Sequence, residues 1–353
     1  MAVDRPLGSY FKWPVIVTIV GLMLSAWLGW LHSGNWSGVF SFLVIGAILA
    51  ALEIALSFDN AVVNANRLET MSEVWRRRFL TWGILIAVFG MRIVFPLAVV
   101  SVAAWIGPIE ALKLAIAQPA DYARIMDEAH LSISAFGGTF LMMVALTYFV
   151  DEAKDVHWFS WLEARLSDCG AIRGFETALV LSVVAGFAVL LPEGAKTQFA
   201  FGALFGLLTF SLVDVVGHLL DNAARDTAKI GAQGGLGAFL YLEVIDASFS
   251  FDGVIGAFAL TTNLFLIAVG LGIGAMYVRS FTIMIVERQT LAQFRYLEHG
   301  AFYSVFFLSL ALFAQSLFHV PEPVTGLLGI FLIAAALVSS HHYRKAAPGA
   351  AGH

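Results

Sequence analysis

LEIALSFDNAVVNA (Leu52–Ala65) and LEVIDASFSFDGVIGAFA (Leu242–Ala259) are apolar stretches with acidic residues set inside them. Aligning Ser57-Phe58-Asp59 with Ser250-Phe251-Asp252, an offset of 193, also places Glu53 opposite Asp246. In each copy an arginine follows in the next apolar segment, Arg92 and Arg279. The third segment then opens at Ser134-Ala-Phe-Gly-Gly in one copy and at Glu298-His-Gly in the other. A three-helix unit therefore recurs, over 38–150 and 236–318.

Composition sets the medium in which these units fold. Of 353 residues, 59% are hydrophobic and 13% charged, and the mean hydropathy is +0.84. A soluble domain carries about 25% charged residues, so this chain lacks half the usual surface chemistry. Soluble enzyme, nucleic-acid binder and disordered scaffold are poor fits. An all-α polytopic membrane protein is expected. The single cysteine, Cys169, excludes an intramolecular disulfide and a thiolate metal cluster within one chain.

An apolar run of about 20 residues crosses the hydrocarbon core as a helix. Ten such segments are expected, at 14–31, 38–60, 80–107, 131–150, 174–191, 198–220, 236–258, 264–286, 298–318 and 324–341. The first is read as a retained span, because no small-residue cleavage site follows it. Pro108–His130 is expected to form a helix lying in the interface. With no low-complexity linker, 1–353 forms one membrane domain. Its parts are two repeats, linking helices over 174–220 and peripheral spans at 14–31 and 324–341.

Cytoplasmic loops collect lysine and arginine. With the N-terminus inside, fifteen of the 20 fall on the cytoplasmic side. Only Lys113, Arg124 and Lys196 fall outside, while Arg92 and Arg279 lie within spans. The split fits ten helices with both termini in the cytoplasm. The repeats then begin five spans apart and enter the bilayer from opposite sides. That is the inverted architecture common among secondary transporters, which hold substrate near the midplane.

Glu53, Asp59, Glu243, Asp246 and Asp252 all fall inside expected spans. Each ionised carboxylate at a helix centre costs about 2.5–3.5 kcal/mol. Five cost on the order of 10 kcal/mol unless they are paired, protonated or bound to a cation. Arg92 and Arg279 can neutralise only two. Arg279, near the cytoplasmic end, has snorkelling as its alternative. At 100° per residue, Glu53, Ser57, Asn60 and Asn64 share a stripe, as do Glu243, Asp246 and Ser250. Asp59 and Asp252 point off these stripes. Either the helices break at Ser-Phe-Asp or each Asp faces another neighbour. Oxygen ligands suit Mg2+, Ca2+ or Mn2+, whereas zinc and copper favour the Cys and His that both motifs lack. A weaker second site is Asp214, His218 and Asp221, spaced along one helical face. Asp151, Glu152 and Asp155 read as a solvated helix end.

LEIALSFDNAVV and LEVIDASFSFDGVIGAFALT resemble the two signature segments of the TerC family of integral membrane proteins. The Arg92 and Arg279 segments, GGTFLMMVAL (Gly137–Leu146) and RYLEHGAF (Arg295–Phe302) extend the resemblance over roughly 50–320. It points to a divergent branch of that family. The resemblance implies a bacterial inner-membrane protein with inverted three-helix repeats, associated with Mn2+ export and tellurium resistance. It also implies that Glu53, Asp59, Asn60, Glu243, Asp246 and Asp252 are ion-binding positions. Gly253 follows Asp252 where many relatives have Ser, which removes one hydroxyl.

The expectation is a secondary transporter exporting Mn2+ or a similar divalent cation. Ser57, Ser250, Arg92 and Arg279 would support the acidic site. Its partners would be the cation, the bilayer and, if it oligomerises, further copies of the chain; no nucleic acid and no resident cofactor are expected. The alternative is a non-transporting anchor or scaffold for stress-response proteins, although the longest cytoplasmic loop offers only the short amphipathic FSWLEARL. An intramembrane enzyme is not expected: the chain has no HExxH, GxSG or GxGD motif.

Overall fold

The computed structural model describes residues 6–346, apart from Ser57, Thr70, Ile84, Leu85, Ala153, residues 227–235, His319 and Pro321. The described residues are all-α. In chain order come α1 (Leu7–Ser33), α2 (Trp36–Leu56), α3 (Phe58–Glu69) and α4 (Glu73–Arg78). Two π-helical stretches, Phe79–Gly83 and Ile86–Val94, lead into α5 (Phe95–Ala103). Then follow α6 (Pro108–Ala117), α7 (Pro119–Val150), α8 (Ser160–Asp168), α9 (Phe175–Leu190) and α10 (Glu193–Asp226). The chain closes with α11 (Leu236–Leu260), α12 (Leu264–Glu287), α13 (Thr290–Gln293), α14 (Leu297–Gln315) and α15 (Glu322–Ala346).

Each of the ten expected segments coincides with helical structure. Seven helices are long and apolar enough to cross a membrane: α1, α2, α7, α10, α12, α14 and α15. The other three segments fall short for separate reasons. α9 has 16 residues. The third segment is divided between π-helix and the nine-residue α5. α11 is 25 residues long but carries Glu243, Asp246 and Asp252. The stretch expected in the interface is two helices instead of one. Gln118 leaves helical geometry with φ −138°, as expected for a residue before proline, and Pro119 opens α7.

Side-chain exposure fits a hydrocarbon solvent. Phe201, Leu204, Phe205, Leu208 and Leu212 of α10 are each more than half exposed. Trp36, Trp105 and Trp161 stand out further, at 78%, 93% and 70%, as interfacial tryptophans do. A surface this apolar does not face water; the chain is an integral membrane protein.

The interior is built around α7, which lies along α10 and α14 and also meets α9 and α11. Between lipid-solvated helices no hydrophobic effect drives association, so close backbone approach matters more. Gly202 and Gly206, one turn apart on α10, provide it: a Cβ at either would collide with the carbonyl oxygen of Ser132 or Phe136 on α7. Gly206→Leu is therefore expected to cost about 1–3 kcal/mol and to lower the thermal midpoint in detergent. Gly186→Ala on α9, where nothing lies within 4 Å of the new methyl, should leave the midpoint unchanged or slightly raised. Equal midpoints for both variants would remove the packing argument.

α12 sits at the centre of the other half of the molecule, against α1, α2, α3 and the second π-helical stretch. Its first turn is capped by Asn263, whose side chain accepts the Leu266 N–H at 3.0 Å. α2, α3, the π-helical stretch, α11 and α12 thus meet around the intramembrane acidic residues.

Candidate cation site

A cavity of about 40 Å³ lies where these elements converge, lined by Glu53, Asn60, Asn64, Arg92, Asp246, Arg279 and Thr282 with the apolar residues around them. A single water needs roughly 10–15 Å³ by this measure, so the space admits a few waters or one cation. Glu53, Asn60, Asn64 and Arg92 are 2–4% exposed. Thr282 is 1% exposed and donates its hydroxyl to the Val278 carbonyl at 2.9 Å, which leaves its lone pairs free to accept.

Glu53 enters from α2 and is clamped by Arg92, whose Nη2 lies 2.5 Å from Glu53 Oε1. Arg92 belongs to a π-helical stretch, a rare geometry that frequently occurs at functional sites. Two glycines leave room for the Glu53 side chain. A Cβ on Gly274 of α12 would strike Glu53 Cγ, and one on Gly253 of α11 would fall 2.9 Å from Glu53 Oε2. Gly253, which reads in sequence as a missing hydroxyl, is spatially the clearance for a carboxylate.

Asp246 enters from α11 and accepts a hydrogen bond from the Asn64 side chain. That contact fixes the Asn64 amide: its nitrogen faces Asp246, and its oxygen faces elsewhere. Asn64 Oδ1 and Asn60 Oδ1 are both buried without a hydrogen-bond partner among the described residues. Each such buried acceptor costs roughly 1–3 kcal/mol. Arg279 reaches the same cavity from α12 and donates Nε–H to the Leu80 carbonyl at 2.9 Å.

Other expected site residues lie elsewhere. Asp59 does not line the cavity. It is buried at 6% exposure, with Oδ2 accepting from Ser304 Oγ of α14 at 2.7 Å and Oδ1 accepting from the Asn60 N–H at 2.9 Å. Glu243 lies just outside the cavity wall. A Cβ on Gly83 would fall 2.9 Å from its Oε1, and that oxygen has no hydrogen-bond partner among the described residues. Ser57 lies outside the described residues. The description reaches only the helix positions of Ser250, Asp252 and His218, not their side chains; α11 runs through Ser250–Asp252 as unbroken helix. Asp214 is exposed on α10 and does not line the cavity. Among the described residues, no three His, Cys, Asp or Glu side chains group closely enough to hold a metal ion. The cavity's oxygen set is therefore mixed: two carboxylates, two amides and a hydroxyl.

Asn64 and Thr282 complete this lining. Asn64 was legible as the last member of the Glu53 stripe; Thr282 carried no signal in sequence. A second cluster was missed. Glu163 of α8 is fully buried, and its Oε1 accepts from the Trp158 and Phe159 N–H groups at 3.2 and 3.1 Å and from Tyr303 OH at 3.1 Å. Its Oε2 lies 2.9 Å from Lys154 Nζ and 3.2 Å from His299 Nε2. His299 Nε2 also faces the Val156 carbonyl at 2.8 Å, while Nδ1 faces Tyr148 OH at 3.3 Å. Two acceptors on Nε2 assign it the proton. Burial alone would raise the Glu163 carboxyl, but His299, Lys154 and the Phe159 N–H outweigh it and hold the group at about 2.

A larger cavity of about 620 Å³ borders this cluster, lined by Lys154 and His299 together with Asp151, Asp155, Arg295, Glu298 and Arg344 among others. Its charges are of both signs. The smaller cavity is the one lined by Asn60 and Asn64, whose amide oxygens have no hydrogen-bond partner among the described residues.

A model of a protein family of unknown function, DUF475, matches residues 58–347. Neither the curated proteins nor the solved structures contain a match to the chain.

Proposed function

The chain belongs to the DUF475 family, and we propose that it is a secondary transporter that moves a divalent cation of the Mn2+ class through the 40 Å³ cavity. One observation carries this reading: Asn60 Oδ1 and Asn64 Oδ1 are buried acceptors without hydrogen-bond partners among the described residues, beside the Glu53 and Asp246 carboxylates. Hard oxygen donors of this kind match Mn2+, Mg2+ and Ca2+. The TerC-like motifs support the same substrate class and the direction, export from the cytoplasm of a bacterial cell.

Inverted repeats give the site its second rationale. Glu53 and Asp246 are paired by the 193-residue offset, Arg92 and Arg279 each follow in the next segment of their copy, and all four line one cavity. That is what two repeats meeting at the midplane would produce. In this reading all ten segments cross the bilayer, with both termini in the cytoplasm.

Each residue then has a role. Glu53 and Asp246 supply charge, while Asn60, Asn64 and Thr282 supply neutral oxygen. Arg92 neutralises Glu53 when no cation is bound, and an arriving cation takes over that carboxylate. The displaced guanidinium, held on a π-helical stretch, couples occupancy to helix movement. A ligand shifts a conformational equilibrium only by its differential affinity for the two states, and exchange of Arg92 for a cation on Glu53 is such a difference.

The test is flux. Full-length protein in proteoliposomes should carry Mn2+ down an imposed gradient, measured with an internal metal-sensing dye across a panel of Mn2+, Mg2+, Ca2+ and Zn2+. Absence of flux for every cation, with and without a proton gradient, would end the transporter reading. Stable soluble partners captured under the same conditions would favour the scaffold.

A further inference from the structure

We infer that Asp59 is a positioning residue, which together with Ser304 sets the aim of the Asn60 amide into the cavity. The inference rests on the cation-site reading above and assigns Asp59 a role other than ligation.

The geometry points away from the cavity. Asp59 lies in the first turn of α3, one residue and 100° of helix rotation from Asn60. Asn60 and Asn64, one turn apart, face the cavity; Asp59 faces α14. There both carboxylate oxygens are engaged, by the Ser304 hydroxyl at 2.7 Å and by the Asn60 N–H at 2.9 Å. Charge-assisted hydrogen bonds of this kind are short and roughly twice as strong as neutral ones.

α15 closes over the pair. A Cβ on Gly329 would fall 2.7 Å from Ser304 Oγ and 3.6 Å from Asp59 Oδ2, so a larger residue there would displace the hydroxyl. Ser304 is itself fixed through the next residue, because its neighbour Tyr303 donates to the buried Glu163 at 3.1 Å. α14 is thus held at two successive residues, one by the Glu163 cluster and one by α3. From Glu163 to the cavity the links are Tyr303, Ser304, Asp59 and Asn60, alternately a hydrogen bond and a peptide bond. A ligand amide aimed by such a chain loses affinity when the chain is cut, although no atom of the cavity is touched.

Mn2+ titration of the purified full chain in detergent, followed by calorimetry, tests this. Ser304→Ala and Asp59→Asn are each expected to weaken Mn2+ binding about tenfold, and the double variant to be no weaker than either single one. Ser304→Thr keeps the hydroxyl and should bind within about twofold of the wild type. Thermal midpoints report whether each variant still folds; the Thr rescue separates aim from general stability. Wild-type affinity in Ser304→Ala beside a loss of a hundredfold or more in Asp59→Asn would make Asp59 a direct ligand and overturn the inference alone. No Mn2+ binding by the wild type would remove the cation-site reading and the inference with it.

Discussion

Asp246→Asn is expected to reduce Mn2+ flux and affinity by at least about a hundredfold, close to 3 kcal/mol, while leaving the protein folded. The substitution keeps the size of the side chain and can keep a hydrogen bond with Asn64, which reorients to serve an amide. What it removes is one of the two carboxylate charges that line the cavity. Arg92 is paired with Glu53 at 2.5 Å and also acts on Asp246, so without Asp246 the cavity holds the Arg92 and Arg279 guanidiniums against a single carboxylate. A divalent cation in a poorly hydrated cavity cannot exchange a carboxylate for a neutral amide at equal cost. The fold loses one member of a buried charge cluster, a change that destabilises, so the thermal midpoint should fall, while the amide's contact with Asn64 keeps the protein folded. Flux in proteoliposomes, with midpoint and expression measured in parallel, separates the two effects. Wild-type transport by Asp246→Asn would remove the central residue of the site.

The sequence made the acidic site legible because two independent constraints met at Glu53 and Asp246. A charge inside a span demands compensation, and a 193-residue offset pairs the two positions. Helical rotation alone also placed Asp59 off the Glu53 stripe, and its contact with Ser304 shows which neighbour it faces. Arg279 is harder to read. In sequence it is a cation near a helix end; its actual bond goes to the Leu80 carbonyl, and no pattern of side chains announces a main-chain acceptor on a π-helical stretch. Gly253 was legible only as an absence. Its reason, clearance for Glu53 Oε2, appears once α2 and α11 are packed.

The Glu163 cluster had no sequence signature at all. FSWLEARL reads as an amphipathic turn at the bilayer surface, where Glu163 would be one more solvated charge. Burial of that residue depends on Lys154 from the loop after α7 and on His299 and Tyr303 from α14, some 140 residues away. Local periodicity cannot report a partner set drawn from a loop and a helix far along the chain. The segments nearest to it, Asp151 and Asp155, look like an ordinary helix end for the same reason; in the structure they line the 620 Å³ cavity.

Glu163→Gln is accordingly expected to destabilise the protein by about 3 kcal/mol at neutral pH, in the range seen when one partner of a buried pair is removed. The carboxyl sits at about 2 in the folded chain, against an ordinary value of 4.5. A lowered folded value means that ionisation stabilises the native state. The contribution is present in full above pH 4.5, is lost progressively as pH falls towards 2, and amounts to about 3 kcal/mol. Wild type and variant should therefore differ most at neutral pH and converge in acid. Lys154 limits the damage, because burial already pushes its ammonium down, and the cavity it lines gives it somewhere to turn. Tyr303→Phe removes a single hydrogen bond to the same carboxylate and should cost about 1 kcal/mol. Melting curves followed by circular dichroism at pH 7, 5 and 3 check the series. A gap between wild type and Glu163→Gln that is absent at pH 7, or unchanged at pH 3, would mean that Glu163 does not hold α8 against α14 as an ionised group.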